Sequence, residues 1–329
     1  MFLSLIIPVY NRPQEMDELL QSLTEQTEKD FEVIIVEDGS TAKSDIISQK
    51  YTTQLALSYF FISNRGPGQA RNYGAGQANG DYLIVLDSDC ILPPDYIQSV
   101  REELRQTAAD AFGGPDKASD DFTPVQKAIN YSMTSFFTTG GIRGRKKQMD
   151  KFYPRSFNMG IRKAVYDDLG GFSAMRFGED IDFSIRLYKE GCKVSLFPSA
   201  WVYHKRRTDW KKFYRQVYNS GIARINLALK HPGSLKLVHL LPVMFTLGVF
   251  SCLIAGVFEE WFFLPLLFFS LLVFCDSAIR NESLKVGFLS VIAAFVQLIG
   301  YGLGFLSAFW KRIVCKKDPF SAFEKSFYQ

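Results

Sequence analysis

Three long apolar stretches after residue 235 constrain this chain more than any other feature of its sequence. Residues 237–257 and 286–310 contain no Asp, Glu, Lys or Arg, and residues 261–279 contain only Asp276, near the end of the stretch. Each stretch approaches the roughly 20 apolar residues that cross a bilayer core of about 30 Å. Buried core helices of this composition would need a large partner domain. We therefore expect these stretches to be membrane helices.

Residues 1–232 are typical of a soluble α/β domain, because charges, turns and short apolar runs alternate there. We divide the chain into this domain, a membrane domain at 233–312 and a short tail at 313–329. The five cysteines form no Cys-x-x-Cys pair, which argues against a disulfide framework or a zinc site. The net charge of +4 is weak, and its distribution along the chain is the more informative property.

Charge distribution predicts the orientation of the chain. The N-terminus has neither the basic segment nor the small-residue cleavage site of a signal peptide, so we expect residues 1–232 to stay in the cytosol. The basic and aromatic segment 203–216 suits an anionic cytosolic leaflet, and nucleic-acid binding is the alternative interpretation. The compact one-chain anchor indicates a multi-pass protein of the bacterial inner membrane, with no nucleic-acid partner.

The third apolar stretch does not fit a simple topology. Three complete crossings would place the basic residues 311–317 outside, against the positive-inside tendency. The acids at 259–260 suit an outer loop, and residues 280–285 suit an inner one. The sequence GYGLG at 300–304 could break the third stretch into a re-entrant or interfacial piece, which would return the tail to the cytosol.

Strand and helix signals alternate over the first 90 residues. Apolar, β-branched runs predict strands within residues 3–11, 31–40, 55–62 and 82–89. After the first strand, Met16, Leu19, Leu20 and Leu23 recur at the spacing of an amphipathic helix. The alternation predicts a parallel sheet covered by helices on both faces. Ligands of such sheets bind beyond the carboxyl ends of the strands.

Polar residues mark three of these strand ends, at Tyr10-Asn11, Glu37-Asp38 and Asp87-Ser88-Asp89. Asp87 and Asp89 are two residues apart, so on a strand they point to the same face. Two neighbouring negative charges repel each other unless a cation lies between them, and the pair therefore predicts a metal. A solvated cluster of acids at a turn is the alternative.

Four segments resemble successive motifs of family 2 glycosyltransferases with the GT-A fold. These segments are SLIIPVYNRP, VIIVEDGST, GPGQARNYGAGQANGDYLIVLDSD and GGFSAMRFGEDIDFSIRLYKEGCKV. The resemblance covers about residues 3–220, in the order and spacing of the family. It implies the nucleotide-diphospho-sugar transferase fold, a Rossmann-like mixed α/β sheet with helices on both faces, followed here by transmembrane helices. It also implies an inverting transferase that uses a nucleotide-diphosphate sugar and a divalent cation, Mn²⁺ or Mg²⁺.

The resemblance also implies roles for individual residues. Asp180 corresponds to the acid that takes the proton of the acceptor hydroxyl, and Glu179 is the runner-up. Asp89 corresponds to the metal ligand, with Asp87 placed toward the ribose or the metal. His204 is a candidate further ligand, with a structural role as the alternative. The implied donor-binding residues are Pro8, Tyr10, Glu37, Asp38, Arg71, Asp87, Ser88 and Asn158.

Some of these donor-binding roles are more specific. The resemblance places Asp38 on the N–H of a uracil-like base, and an Asp that forms a turn before Gly39 is the alternative. It also packs Pro8 and Tyr10 around that base. Arg71 pairs with a phosphate or supports Asp38, and a solvated helix residue is its alternative. Asn158 is the candidate residue in the sugar pocket.

The expected function is transfer of one sugar from a nucleotide-diphosphate donor, expected to be UDP-linked, to a lipid-linked or nascent-glycan acceptor. Residues 215–221 lack the Gln-x-x-Arg-Trp motif that processive synthases carry in this region, which favours single-sugar addition over polymer synthesis. The alternative is a non-catalytic, membrane-anchored scaffold that binds nucleotide sugars.

Overall fold

The computed structural model describes residues 1–117, 122–139, 152–175, 177–204 and 209–318. The chain forms two compact units, of which the first comprises Met1–Ser119 and Asp150–Lys205 and the second Asp120–Met149 and Arg206–Gln329. The units reflect packing and not position in a membrane, so the boundary at residue 232 stays a prediction. Residues 319–329 of the tail and 205–208 of the basic segment lie outside the described residues.

The strands belong to the first unit. They are β1 (Leu3–Val9), β2 (Phe31–Asp38), β3 (Ala56–Ile62), β4 (Tyr82–Leu86), β5 (Cys90–Ile91), β6 (Ala111–Gly113), β7 (Asp116–Lys117), β8 (Asn158–Arg162), β9 (Val194–Leu196) and β10 (Val202–His204). Its helices are α1 (Pro13–Thr24), α2 (Asp45–Gln49), α3 (Pro67–Gln77), α4 (Tyr96–Thr107), α7 (Lys163–Asp168) and α8 (Glu179–Lys189). The strands and the first helix predicted from the sequence are confirmed by β1 to β4 and α1.

The main sheet of the first unit is mixed. Its strand order is β3-β2-β1-β4-β8-β6-β9. The four strands predicted from the sequence pair in parallel. Strand β8 runs antiparallel to both of its neighbours, β4 and β6. The α/β class and the mixed sheet are therefore confirmed.

Helices cover both faces of this sheet because successive strand residues point to opposite sides. Leu5 and Ile7 of β1 pack in a cluster with residues of α1 and α4, whereas Ile6 packs with residues of α3 and α8. Helix α3 is rich in small residues, and a Cβ on Gly74 would lie 2.7 Å from Ile6 Cγ2. The glycine thus allows α3 to lie close to the sheet.

A second, small sheet extends the carboxyl end of β4. Its order is β5-β10-β7. Strand β10 pairs antiparallel with β5, which places His204 opposite Cys90. The chain thereby brings a histidine more than 100 residues away to the end of the strand that precedes Asp89.

The second unit is helical in its described residues. Its helices are α5 (Pro124–Thr134), α6 (Phe136–Thr139), α9 (Trp210–Lys230), α10 (Leu241–Ala255), α11 (Leu264–Arg280) and α12 (Leu284–Phe309). Within this unit α12 packs against α5, α9, α10 and α11. By length and composition, three segments are candidate membrane spans: Leu237–Ala255, Glu260–Arg280 and Leu284–Val314.

The glycines of the third apolar segment do not break its helix. Helix α12 continues through Gly300, Gly302 and Gly304 to Phe309. A Cβ on Gly302 would overlap Thr246 of α10, and one on Gly304 would overlap the carbonyl oxygen of Tyr218 of α9. These glycines allow close helix packing, so the predicted break at residues 300–304 is absent from the structure.

Candidate active site

Asp87 and Asp89 follow β4 directly, at the carboxyl edge of the parallel strands. Asp89 is buried, and its carboxylate contacts the guanidinium of Arg12 and lies 3.2 Å from His204 Nε2. Arg12 comes from the turn after β1, the neighbouring strand. Two strand ends and the small sheet thus converge on one carboxylate.

Asp89, Cys90 and His204 each place a potential ligand atom within 4.8 Å of the others. The imidazole of His204 stacks on Phe157, with ring centroids 4.9 Å apart. Burial raises the pKa of Cys90 well above its usual value, and the nearby Asp89 and Asp87 raise it further. Cys90 is therefore a thiol that points its sulfur toward the Phe157 carbonyl, at 3.5 Å.

The other two potential metal ligands of this cluster are a carboxylate oxygen of Asp89 and an imidazole nitrogen of His204. Both types of ligand atom fit a small divalent cation. Mn²⁺ accepts both types of ligand, and Mg²⁺ prefers the oxygen. Asp87 offers a second carboxylate on the same strand end. The residues present are therefore compatible with Mn²⁺ or Mg²⁺.

Arg71 joins this acid pair to the second one. Its Nη2 lies 2.9 Å from Asp87 Oδ1, and its Nη1 lies 2.8 Å from Glu179 Oε1. Burial alone would lower the pKa of Arg71, but Asp87 and Glu179 raise it above the ordinary value. The arginine is a fixed, buried cation between two carboxylates, and the predicted contact with Asp38 is not among its hydrogen bonds.

Glu179 and Asp180 begin α8, whose N-terminus favours negative charge. Burial raises the pKa of Glu179, Arg71 opposes that shift and Asp180 adds to it. Asp180 Oδ2 accepts a hydrogen bond of 2.7 Å from Arg155 Nε, and the Arg155 side chain is 42% exposed. Glu179 therefore faces the protein interior, whereas Asp180 is paired with a partly solvated residue.

The loop before α8 is fixed from two sides. Asn72, next to Arg71 on α3, accepts from the Phe172 backbone N–H and donates to the Phe172 carbonyl, both at 2.8 Å. Arg186 donates to the carbonyls of Leu169 and Gly171 and to Asp182 Oδ2. Asp182 thus has a structural role.

The end of β2 lies beside the loop that leads into α3. Asp38 Oδ1 accepts from the Arg65 backbone N–H at 2.7 Å, and Oδ2 accepts from that of Gly66 at 2.9 Å. Burial raises the pKa of Asp38, and the two backbone hydrogen bonds oppose the shift. Tyr10, at the next strand end, is 48% exposed and Pro8 is half-buried. Their contacts with a base stay predictions.

Two predicted donor-binding residues lie in the protein interior instead. Glu37 is fully buried and accepts hydrogen bonds from Ser40, Ser44 and Tyr59. Asn158 is also fully buried, where Tyr96 Oη donates to its Oδ1 and its Nδ2 donates to the Ala200 carbonyl. Its side-chain oxygen and nitrogen both have protein partners, and the placement of Asn158 in the sugar pocket stays a prediction. Ser88 is buried between Asp87 and Asp89.

Sequence reasoning did not identify Arg12, Arg155 and Asn72 as parts of the site. Arg12 and Asn72 lie in segments that carry the family resemblance, whereas Arg155 lies three residues before Asn158. Arg12 follows Tyr10 in the first motif, and Asn72 follows Arg71. The pairing of Arg12 with Asp89 and of Arg155 with Asp180 could not be read from local sequence, nor could the contact of Asn72 with the Phe172 backbone.

Comparison with known proteins identifies the family. The family model described as "Glycosyl transferase family 2" matches residues 4–170, just over half of the chain. This chain belongs to glycosyl transferase family 2. The matched region contains Arg71 and the acids that end or follow two strands, which are Glu37-Asp38 and Asp87 with Asp89. It ends before Glu179 and Asp180.

Curated relatives of this family 2 glycosyltransferase carry the same type of name. A Haemophilus influenzae protein named uncharacterized glycosyltransferase is 31% identical over 196 residues, covering 57% of this chain and 62% of that protein. Bacillus subtilis EpsJ is 28% identical, covering 61% of this chain and 60% of EpsJ. A Streptomyces hygroscopicus validoxylamine A glucosyltransferase is 38% identical, covering 60% and 54%. The chain thus spans less than two thirds of these relatives' lengths.

Solved structures confirm the GT-A fold. The mannosyltransferase PcManGT of Pyrobaculum calidifontis, in complex with GDP-Man and Mn²⁺, matches with a TM-score of 0.66 at 15% identity, covering 94% of this chain and 87% of that one. Residues 1–349 of S. aureus TarS, in complex with UDP-GlcNAc, match with a TM-score of 0.51 at 23% identity, covering 69% and 67%. At these identities the likeness concerns the fold alone.

Proposed function

We propose that this glycosyltransferase moves a single sugar from a nucleotide-diphosphate donor, a UDP-sugar, to a lipid-linked or nascent-glycan acceptor and inverts the anomeric centre. The observation that supports this most is the buried Arg71, which holds Asp87 and Glu179 in one hydrogen-bonded unit. This unit joins the acid pair that we propose for the metal to the acid pair that we propose for proton transfer.

In this reaction the acceptor hydroxyl oxygen attacks the anomeric carbon on the face opposite the diphosphate. A new carbon–oxygen bond forms, the bond to the diphosphate breaks, and the acceptor proton passes to Asp180. Glu179 is less suited to be the base because Arg71 and the interior already engage its carboxylate. The Arg155 guanidinium stabilises the charged form of Asp180 that must accept the proton.

Asp89, Asp87 and His204 are the residues that would hold Mn²⁺ or Mg²⁺. When bound, such a cation supplies positive charge to the departing diphosphate. Arg12 is the nearest other cation to Asp89. Its side chain is 27% exposed, so it can leave the carboxylate for a phosphate oxygen once the donor enters.

The choice of UDP rests on the resemblance and on the TarS complex, whereas the PcManGT complex contains GDP-Man. The proposed location is the cytosolic face of the bacterial inner membrane, with residues 1–232 in the cytosol. The three candidate spans support membrane attachment of this kind.

A binding and turnover experiment tests the proposal. Detergent-purified protein is titrated with UDP, GDP, dTDP and CMP by calorimetry, with and without Mn²⁺, as wild type, Asp89→Ala and Asp180→Asn. We expect one diphosphate to bind in a metal-dependent manner, binding to be lost in Asp89→Ala, and Asp180→Asn to bind normally but not to transfer sugar. Asp168→Asn, at an exposed acid of α7, is the matched control.

Three results would contradict the proposal. If no nucleotide binds to protein that is shown to be folded, the proposed donor site is wrong. If Asp180→Asn transfers sugar normally, Asp180 is not the base. Donor binding without nucleotide release, when acceptor-containing membranes are added, would favour the non-catalytic scaffold.

A further inference from the structure

We propose that the second unit contains a binding site for the phosphate group of a membrane lipid, built around Arg224 where α9, the start of α10 and the end of α12 meet. This inference goes beyond the proposed catalytic function and does not depend on it. It rests on a partly buried arginine that forms no ion pair among the described residues, and on the hydrogen-bond donors that surround it.

Three segments of the second unit converge around Arg224. Ile225 of α9, Val243 of α10 and Phe305 of α12 belong to one hydrophobic cluster, and Tyr301 packs against it. Arg224 directly precedes Ile225 in the chain. Apolar contacts from three segments therefore fix the backbone on which the arginine is mounted.

The polar neighbours of Arg224 are cationic or neutral. The Arg224 guanidinium and the Lys236 ammonium are the two charged groups that act on His239, and the Arg224 guanidinium also acts on the Tyr301 hydroxyl. His239 Nδ1 accepts a hydrogen bond of 3.0 Å from the Lys236 backbone N–H. Because Nδ1 is the acceptor, the imidazole carries its proton on Nε2, which is a further donor.

No carboxylate of these segments compensates the charge of Arg224. Residues 210–258 and 283–317, which include the whole of α9, α10 and α12, contain no Asp or Glu. Arg224 Nε is shielded from solvent and has no hydrogen-bond partner in the part of the chain that the structure describes. The same is true of the Tyr301 hydroxyl. The site thus combines a positive charge with two buried polar groups that the described protein leaves unsatisfied.

These groups together match a phosphate. A shielded charge without a counter-charge is unfavourable, and so is a buried polar group without a hydrogen bond, so an external anion is stabilising here. The planar fork of an arginine donates to two phosphate oxygens at once, and a lysine adds a point charge. The Tyr301 hydroxyl and His239 Nε2–H are donors for the remaining oxygens. A metal cation, by contrast, would be repelled by Arg224 and Lys236.

The position of the site in the chain favours a lipid phosphate over a soluble one. Lys236 directly precedes Leu237–Ala255, a candidate membrane span, and the start of a span lies at the level of the lipid headgroups. A Cβ on Gly302 would lie 2.7 Å from the Pro242 carbonyl oxygen, so the neighbouring Tyr301 lies at the level of the first turn of α10. Basic pockets between membrane helices bind lipid headgroups.

Lipid retention in native mass spectrometry tests the site. The detergent-purified full chain is titrated with phosphatidylglycerol, with a polyprenyl phosphate, and with a diacylglycerol of the same chain length, which lacks the phosphate. Arg224→Gln and Lys236→Gln each remove one positive charge from the site. The matched control is Lys285→Gln, which removes the same charge from an exposed lysine near the start of α12.

We expect one phosphate-bearing lipid per wild-type chain. Arg224→Gln should raise the apparent Kd by about 10- to 100-fold, because a charge-assisted hydrogen bond is lost. Lys236→Gln, at an exposed residue, should raise it by about two- to tenfold. Lys285→Gln should bind like the wild type, and the diacylglycerol should not be retained. The tighter of the two phosphate-bearing lipids identifies the source of the phosphate.

Folding of the variants is checked by thermal unfolding in the same detergent. Arg224→Gln breaks no ion pair among the described residues, so we expect it to fold, and the exposed Lys236 tests the site independently.

Four results would overturn the proposal. The first is that wild type retains no phosphate-bearing lipid. The second is equal weakening by Arg224→Gln and Lys285→Gln, which would show attraction to net charge alone. The third is retention of diacylglycerol as tight as that of phosphatidylglycerol, which would show that the phosphate is not recognised. The fourth is displacement of the lipid by UDP or inorganic phosphate, which would assign the site to a soluble anion.

Discussion

At the scale of single residues, charge compensation around Arg71 determines the geometry of the site. Arg71 is 3% exposed and bonded to Asp87 and Glu179, so neither carboxylate is left uncompensated in the interior. Removal of one member of a buried ion pair leaves the other charge without its partner, which is far more unfavourable than loss of a surface pair. Arg71 is thus a positioning residue that serves both acid pairs.

We predict that Arg71→Gln lowers the free energy of unfolding by about 3–5 kcal/mol, the usual effect of breaking a buried ion pair. Arg71→Lys should have a smaller effect, because an ammonium group can compensate charge but cannot hold both carboxylates in a planar fork. Thermal unfolding in detergent measures the difference. The control is Arg105→Gln, at an exposed cation near the end of α4. Equal stability of the Arg71→Gln and Arg105→Gln proteins would contradict the structural role.

Glu179 gives a prediction about pH. Its pKa is raised above the ordinary 4.5 by burial, which outweighs the opposing effect of Arg71. The folded protein therefore binds more protons at this position than the unfolded protein. The resulting stability is fully present below the unfolded pKa and is lost as pH rises through the folded pKa. We expect the melting temperature of wild type, minus that of Glu179→Gln, to decrease from pH 4.5 to pH 8. A difference that grows with pH would indicate the opposite shift.

At the scale of helices and strands, sequence periodicity predicted the elements well and their long-range pairing poorly. Strands β1 to β4 and helix α1 follow from alternating apolar runs and turn residues that lie close together in the chain. The pairing of β10 with β5, which brings His204 to Asp89, depends on contacts between distant segments. The burial of Asn158 on β8 likewise depends on contacts with Tyr96 and Ala200 and could not be predicted from its own segment. The acids that follow β2 and β4, by contrast, were singled out from local sequence because the carboxyl ends of parallel strands share one edge of a sheet. Glu179 and Asp180, at the start of α8, were singled out by the family resemblance alone.

The glycines of α12 also show that local sequence cannot predict contacts between distant helices. Their sequence, GYGLG, is compatible both with a broken helix and with close packing of a continuous one, and only the neighbouring helices decide between the two. Gly304 faces the backbone of Tyr218, and Gly221 faces that of Tyr301. The crossing of α9 and α12 is therefore made by backbone against backbone.

We predict that Gly304→Ala destabilises the second unit, because its Cβ would overlap a carbonyl oxygen of α9 that cannot move independently of its helix. Overpacking of this kind costs about 1–3 kcal/mol. The matched control is Gly248→Ala on α10, where no atom lies within 4 Å of the added Cβ. Gly248→Ala should be neutral or should stabilise the helix by up to about 1 kcal/mol. Thermal unfolding of both variants in the same detergent checks the contrast, and an equal response would contradict the close crossing.

At the scale of the whole molecule, donor binding and stability are linked. A ligand that binds only the folded protein stabilises it by RT ln(1 + [L]/Kd), about 2.7 kcal/mol at 100 times Kd. For a protein of this size, that corresponds to an increase in melting temperature of about 5 °C. The site is built on cores that need no metal, since Leu5, Ile6 and Ile7 pack against helices on both faces of the sheet. Chelation should therefore remove the donor site without unfolding the protein.

We predict that UDP with Mn²⁺ raises the melting temperature of wild type by about 5 °C at 100 times Kd, and that EDTA abolishes this increase while leaving the melting temperature of the free protein unchanged. Asp89→Asn should show no increase, because it removes a carboxylate charge from the predicted metal site. Asp168→Asn, whose acid is exposed on α7, should keep the full increase. An increase of equal size in EDTA would show that the donor binds without metal. A lower melting temperature of the free protein in EDTA would show that the bound cation stabilises the folded protein even in the absence of donor.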